Sequence, residues 1–400
     1  SITVVARAVR TDPLNRAFRE LLGWLYVEIG SYENAFDAYR AIDRLESQNG
    51  QVLFQFAQMA ADAGALEVAT QAYQEILDRY PDAPSSPQAL AGLGDTYQRW
   101  AEKSGERAVD ERGGKLEAPR FQTALETYRS FLEEYPTHVL YPDVLRRIGA
   151  LQQDVFFDLS AAETTLKQVV GSYPNTRAAD AAEFDLARAA LMTGDLEEAR
   201  LRFSRLEDRQ RTGDFAELSR FKLAQIHFFL GEFDAAQALV DIIDVNTSTD
   251  VSNDAIELKI LLMENRGPDS LNLPLRDYAR AVLAEEQRRL QLALDTLDGI
   301  LARYPDHPLA DDVRFLRASV LRSAGRGREA HDAFAELPLL HPQSYLADRA
   351  FFEAAEIQEI ELADAEAAVK LYSRLLTEYP GSLLAPEARE RIRRLRGSGA

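Results

Sequence analysis

One spacing recurs along this chain and fixes most of what it can fold into. An alanine is followed 12 residues later by a proline at Ala69/Pro81, Ala124/Pro136, Ala162/Pro174, Ala293/Pro305, Ala330/Pro342 and Ala368/Pro380. Four residues after the alanine stands Tyr73, Tyr128, Leu166, Leu297, Phe334 or Tyr372, and seven after it Ile76, Phe131, Val169, Ile300, Leu337 or Leu375. The residue before the proline is tyrosine in five copies and His341 in the sixth. Six matches at fixed offsets describe one supersecondary unit copied along the chain. Offsets of four and seven place the aromatic and the aliphatic on one helical face, next to a small residue that lets a second helix approach. The proline cannot continue that helix, so it closes the unit.

A second helix packs in front of each of these. The hairpin between the two often carries glycine, at Gly30, Gly64, Gly194, Gly231 and Gly325, each five residues before an alanine of the series. Glycine suits the left-handed conformation that ends many helices. Alignment on the alanines gives Ala35, Ala69, Ala124, Ala162, Ala199, Ala236, Ala293, Ala330 and Ala368, hence nine units.

The rhythm predicts five regions. Residues 1–13 read as the tail of a preceding unit whose front half is missing, which implies a longer parent protein and hides any targeting sequence. Residues 14–244 form an N-terminal array interrupted at 101–120 by a charged insertion, read as an extended first helix and a protruding loop. Residues 245–274 form an irregular connector with one extra helix, from about Asp254 to Glu264, that divides the array into two arms. Residues 275–381 resume the array, and 382–400 hold a capping helix with Ala388, Ile392 and Leu395 on one face. An open-ended array needs such a cap.

Charge and composition exclude several roles. The 400 residues carry a net charge of −19, which argues against nucleic acid and anionic membrane surfaces as partners. The basic residues are nearly all arginine, as a GC-rich genome would give. The chain has no cysteine, so disulfides, thiolate nucleophiles and zinc–thiolate sites are excluded. No apolar run approaches the roughly 20 residues that span a bilayer, so no direct membrane insertion is expected.

The search for chemistry yields little. The five histidines lie too far apart for a helical metal pair and read as structural. Gly325-Arg-Gly327 and Gly113-Gly114-Lys115 lack the context of a phosphate loop. Asp244-x-Asn246-x-Ser248-x-Asp250 resembles the start of a calcium loop, but Thr249 and Ala255 replace the turn glycine and the bidentate glutamate. A polar turn before a helix is the simpler reading. Asn246-Thr247-Ser248 matches a glycosylation acceptor, a motif frequent by chance. Adjacent acids such as Glu197-Glu198 and Asp311-Asp312 point apart on a helix and are read as solvated faces. No cofactor, metal or catalytic residue is expected.

Leu22-Gly23 with Tyr26, and Leu93-Gly94 with Tyr97, together with the later alanine, aromatic and proline, resemble the tetratricopeptide repeat family. The likeness covers nearly the whole chain. Many periods run to 37 or 38 residues, and Arg19 and Leu53 stand where the family carries tryptophan. The resemblance implies an all-α, right-handed α-solenoid of about nine helix pairs with a C-terminal capping helix. It implies a non-enzymatic scaffold, a monomer, that binds a protein or peptide on a groove lined by the first helices. Candidate lining residues are Trp24, Glu28, Gln58, Asp95, Gln98, Arg99, Arg188, Gln225 and Phe228. The chaperone-tail clamp of some family members is not expected, because Glu20, Trp24, Phe54 and Gln58 hold its places.

Segments 121–148 and 365–395 look like repeats of bacterial envelope proteins, namely the lipoprotein of β-barrel assembly and the periplasmic repeat protein of the Tol–Pal system. That likeness implies a periplasmic or cell-envelope location, with a cytoplasmic adaptor as the alternative. An α/α-repeat enzyme or sugar-binding protein is a further alternative. It would need a carboxylate pair in a pocket, and the sequence shows none. A deep cleft holding two facing acids with raised pKa would overturn the scaffold reading.

Overall fold

A computed structural model of the chain describes residues 2–46, 49–109, 114–210, 214–243, 250–266 and 272–397. Among the described residues there are 21 helices and no strand beyond one isolated bridge, Val109 to Lys115. The fold is an α-solenoid. A lone helix, α1 (Ile2–Thr11), precedes the first pair. The pairs follow as α2 (Arg16–Glu28) with α3 (Tyr32–Glu46), α4 (Gln51–Asp62) with α5 (Leu66–Arg79), and α6 (Ser86–Lys103) with α7 (Pro119–Glu134). Then come α8 (Tyr141–Asp154) with α9 (Leu159–Ser172), α10 (Arg177–Thr193) with α11 (Leu196–Gln210), and α12 (Asp214–Leu230) with α13 (Phe233–Val240). An unpaired helix, α14 (Asp250–Asn265), precedes α15 (Leu273–Glu286) with α16 (Leu290–Arg303) and α17 (Ala310–Ser323) with α18 (Gly327–Leu340). The chain ends with α19 (Ala347–Ile360), α20 (Ala365–Glu378) and the cap α21 (Ala385–Gly397).

The alanines of the repeat are its tightest points. All nine are 0% exposed, from Ala35 to Ala368. The residues four and seven later complete the buried stripe, as with Tyr128 and Phe131 or Tyr372 and Leu375. The residue before each of these prolines makes the last helical hydrogen bond, for instance Tyr80 N–H to the Ile76 carbonyl at 2.8 Å. The proline then has no N–H to continue it.

A third position in the turn has a role that the spacing alone does not announce. In four of the turns, the side chain two residues after the proline accepts a hydrogen bond from the backbone of the next helix start. His138 Nδ1 accepts from Leu140 N at 3.1 Å, His307 Nδ1 from Leu309 N at 3.2 Å, and Ser344 and Ser382 Oγ from Leu346 and Leu384 N. These are helix-entry caps, which satisfy N–H groups that would otherwise lack partners.

The hairpin glycines take the expected left-handed backbone, with φ between 73° and 92° at Gly30, Gly64, Gly194, Gly231 and Gly325. Pairs without glycine force the same conformation on Phe157, Arg288 and Ala363.

The insertion after α6 is tied down rather than loose at its described ends. Arg120 bonds Glu106 and lies over the Trp100 ring, 4.6 Å from its centroid. Residues 110–113 lie outside the described residues.

The chain divides into two compact units. One comprises Ser1–Val109 with Lys115–Ala182, the other Asp110–Gly114 with Glu183–Ala400. The division falls within α10. The extra helix α14 lies inside the second unit, where α12, α14, α15 and α17 share one core containing Phe228, Leu262, Tyr278 and Val313. The cap α21 closes the second unit on α19 and α20, where Arg391 and Arg394 both reach Glu359.

Candidate functional site

Each unit presents the face of its first helices. In the first unit, α4, α6 and α8 enclose a hollow of about 230 Å³. Gln58, Asp95 and Arg99 line it, with Asp62 and Arg147. Asp95 is committed to bonds within the fold: Tyr128 donates its hydroxyl to Asp95 at 2.6 Å and Arg147 contacts both carboxylate oxygens at 2.7 and 2.8 Å. Burial, then the Asp95 charge, raises the Tyr128 phenol well above its ordinary pKa, so it stays a donor. Gln98 stands beside the same hydroxyl at 3.4 Å. Arg99 is exposed and pairs with Asp62 at 3.0 Å, while Gln58 is exposed to solvent. The buried amide oxygen of Gln88, on the same wall, has no hydrogen-bond partner.

Trp24 lies on α2 of this unit and is 50% exposed. Phe18 and Leu21 are exposed on the same helix. Their spacing puts all three along one side of α2, and Glu28 is exposed one turn beyond Trp24. Trp24 and Gln58 each stand 11 residues before the alanine of their repeat, and Arg188 and Gln225 hold the same register in the second unit. Arg188 is half-buried on α10, 3.7 Å from Asp185.

In the second unit α14 lies against the first-helix face. Glu257 of α14 pairs with Arg349 of α19 at 2.8 Å, and Asn265 donates to Asp312 of α17 at 3.2 Å. Between α14 and helices α12, α15, α17 and α19 remains a cavity of about 400 Å³. Gln225 lines it, and Phe228, only 2% exposed, serves as wall rather than as a surface anchor. Three further carboxyls line it, Asp254, Glu285 and Asp312. Burial, and then the neighbouring Glu286, raises Glu285 to about 7. Burial and Asp311 likewise raise Asp312 to about 7, against hydrogen bonds from Tyr345 and Asn265 that favour its charged form.

Three family profiles match the chain. That of the tetratricopeptide repeat-like domain matches residues 139–255, and two tetratricopeptide repeat profiles match 1–50 and 349–382. The chain is a tetratricopeptide-repeat protein. No curated protein is detectably similar to it in sequence. Solved structures similar to it include a tetratricopeptide repeat protein from Parabacteroides merdae, 11% identical over 87% of this chain and 99% of that one, with a TM-score of 0.28. The type IV pilus biogenesis factor PilW is 14% identical over 65% of this chain and 95% of its own, with a TM-score of 0.38. The tetratricopeptide repeat domain of P58(IPK) is 13% identical over 100% and 93%, with a TM-score of 0.26.

Of the nine residues expected on the groove of this tetratricopeptide-repeat protein, the structure gathers Gln58, Asp95, Gln98 and Arg99 in one unit. It gathers Gln225 and Phe228 in the other. Trp24, Glu28 and Arg188 stand apart from both hollows. Asp312 corrects the reading of Asp311-Asp312 as a solvated pair, because it is 4% exposed. Its place on the apolar stripe Leu309–Leu316–Val320 was the available signal. The segment resembling a calcium loop, with the Asn246 acceptor motif, lies outside the described residues apart from the backbone of Asp250. Among the described residues no acidic or histidine cluster could hold a metal ion, and no helix is long and apolar enough to cross a membrane.

Proposed function

We propose that this protein is a non-enzymatic scaffold that binds a protein or peptide partner on the first-helix face of its first unit. The observation that carries the reading is the half-exposed Trp24, flanked by Phe18 and Leu21, on the first helix of that face. A large aromatic on a rigid helix is a typical anchor for a partner. Exposed Gln58 and Arg99, further along the same unit, supply the polar contacts that set register. We place the protein in the bacterial cell envelope. The Tyr-Pro segments at 121–148 and 365–395 support that location, and the absence of cysteine is compatible with it.

The two raised acids of the second unit bear on the enzymatic alternative. Acid–base catalysis works when environments push two pKa values apart, giving one group to donate and one to accept. Burial raises both, the feature that would favour an enzyme, but Asp312 is held by Tyr345 and Asn265 and no hydrogen bond joins it to Glu285 among the described residues. Binding therefore fits the cavity better than turnover.

The test is site-specific photo-crosslinking in the source organism, with the probe at position 24, 58 or 99 and a control at Glu67 on α5. A discrete partner captured at the first three and not at the control is expected, with capture lost in Trp24→Ala while helix content is unchanged. Capture only at Glu67, or glycoside turnover abolished by Glu285→Gln, would sink the reading. Fractionation of the source cells decides the compartment: recovery only from cytoplasm would favour the adaptor alternative.

A further inference from the structure

We propose that the cavity beneath α14 is a binding site for a small organic ammonium, a free aliphatic amine held between carboxylates and aromatic rings. The argument is independent of the protein-partner reading.

The polar groups of the cavity are mostly acceptors. Asp254, Glu257, Glu285 and Asp312 line it, against the single cation Arg349. The Glu285 carboxyl has neither a hydrogen bond nor an ion pair among the described residues. The side-chain oxygen of Gln225 is buried there without a hydrogen-bond partner. Buried polar groups are normally satisfied, and an unsatisfied one implies a missing partner or a functional role.

Tyr278 gives a second, independent sign. It is 9% exposed, lines the cavity, and its phenol makes no hydrogen bond to any described residue. Its pKa is raised by burial and then by Asp312, Tyr345, Glu285 and Glu257, so its hydroxyl end faces the groups that line the hole. A phenol oxygen beside two carboxyls can complete an acceptor set around an ammonium.

The walls also favour a cation. Phe228, Phe315, Tyr278 and Tyr345 bring ring faces or edges to the cavity. The fold already holds one cation in this manner: the Arg349 guanidinium lies 5.2 Å from the Phe315 ring centroid and bonds Glu257 at 2.8 Å. An amine guest would use the same combination of ring and carboxylate. The cavity volume of about 400 Å³ accommodates an aliphatic di- or triamine.

Electrostatics gives the site a signature. Glu285 and Asp312 are raised mainly by burial, so a bound cation lowers both and drives a proton into solvent. The other charged or titratable groups around them are Asp254, Glu257 and Glu264 from α14, Glu286 and Arg288 after Glu285, Asp311 beside Asp312, and Tyr278, Tyr345 and Arg349. None of these has its ordinary pKa near 7, so the two raised carboxyls dominate near neutrality.

The test is calorimetric titration of the whole chain with putrescine and spermidine at pH 7, in two buffers of different ionisation enthalpy. Saturable binding at one site with a Kd of about 1 mM or tighter is expected, with net proton release and tighter binding at pH 8 than at pH 6. Glu285→Gln and Asp312→Asn should each weaken it about tenfold, and Tyr278→Phe should weaken it less. The exposed Glu329→Gln should leave it unchanged. Glu285 makes no side-chain hydrogen bond among the described residues, so Glu285→Gln should not lower the melting temperature, and lost binding in that variant is separable from lost folding. The proposal is overturned if neither amine saturates, if neutral 1,4-butanediol binds equally, or if the cavity variants bind as the parent does. Binding of Nα-acetyl-lysinamide but not of the free amines would assign the ammonium to a protein partner and overturn the small-ligand proposal.

Discussion

Gly94 sits under the ring of Tyr128, and a Cβ added there would come within 2.4 Å of that ring. Tyr128 cannot swing away, because it is fully buried and hydrogen-bonded to Asp95. Alanine gains about 1 kcal/mol of helix propensity over glycine, but overpacking a core costs about 1–3 kcal/mol. Gly94→Ala should therefore lower the melting temperature. Gly299→Ala, in α16, meets only the end of Arg303 at 3.7 Å and should raise it. Equal shifts in both would refute the packing argument. Glu285 and Asp312 make a pH prediction of the same kind. Their pKa values rise from 4.5 and 3.8 to about 7 on folding. The folded state then holds more protons between roughly pH 4 and 7, so stability falls as pH rises through that window and is flat above it. Burial lowers His307 instead, which favours high pH near its ordinary 6.5 and partly opposes the trend. The melting temperature should be higher at pH 5.5 than at 7.5, and the difference should shrink in the Glu285→Gln, Asp312→Asn double variant. A melting temperature that climbs from 5.5 to 7.5 by the same amount in the parent and the double variant would refute the raised carboxyls. The alanine phase was legible in sequence because size at a helix–helix contact leaves no choice. For Asp312 the stripe signalled burial, but its partners Asn265 and Tyr345, distant by 47 and 33 residues, were not legible.

At the scale of elements, α14 is where periodicity ran out. Ala255, Leu258 and Leu262 recur at helical spacing and announce a buried stripe. The helix itself was thus readable, though four residues shorter at its start than Asp250–Asn265. Which surface it would cover was not readable. That depends on Glu257 meeting Arg349, a contact 92 residues away that no local rule encodes. The consequence is that the first-helix face of the second unit carries a helix of its own chain, whereas in the first unit Trp24 is half exposed. Leu262 is 0% exposed and belongs to the core shared with α12 and α15. Truncating it should cost about 2–5 kcal/mol. Leu262→Ala should speed hydrogen exchange first in α14, because a helix held by one apolar stripe opens before the stacked pairs around it. Faster exchange in α15 and α17 with α14 still protected would mean that α14 is not a separable element. The amine site should fail in the same variant, since α14 forms one wall of the cavity.

Over the whole molecule the dominant quantity is a net charge of −19 spread along a repeat array. Stacked repeats are stabilised by nearest-neighbour interfaces, so like charges on successive units repel across every interface. Many ion pairs here are exposed, local helix pairs, such as Arg16–Glu20, Lys167–Glu163 and Lys370–Glu366. Each such pair contributes only about 0.3–0.5 kcal/mol. Screening them therefore loses little, while screening the net repulsion gains along the full chain. The better-shielded pairs, such as Arg322 with Glu353 and Glu356 or Arg391 with Glu359, resist salt because they are partly buried. The melting temperature should accordingly rise by ~2 °C or more between about 20 and 300 mM sodium chloride. Potassium chloride should act equally, since the effect is ionic strength rather than a bound ion. A fall with salt would mean that the ion pairs outweigh the repulsion, and would place the stability of the array in its arginine–carboxylate network rather than in the buried alanine seams.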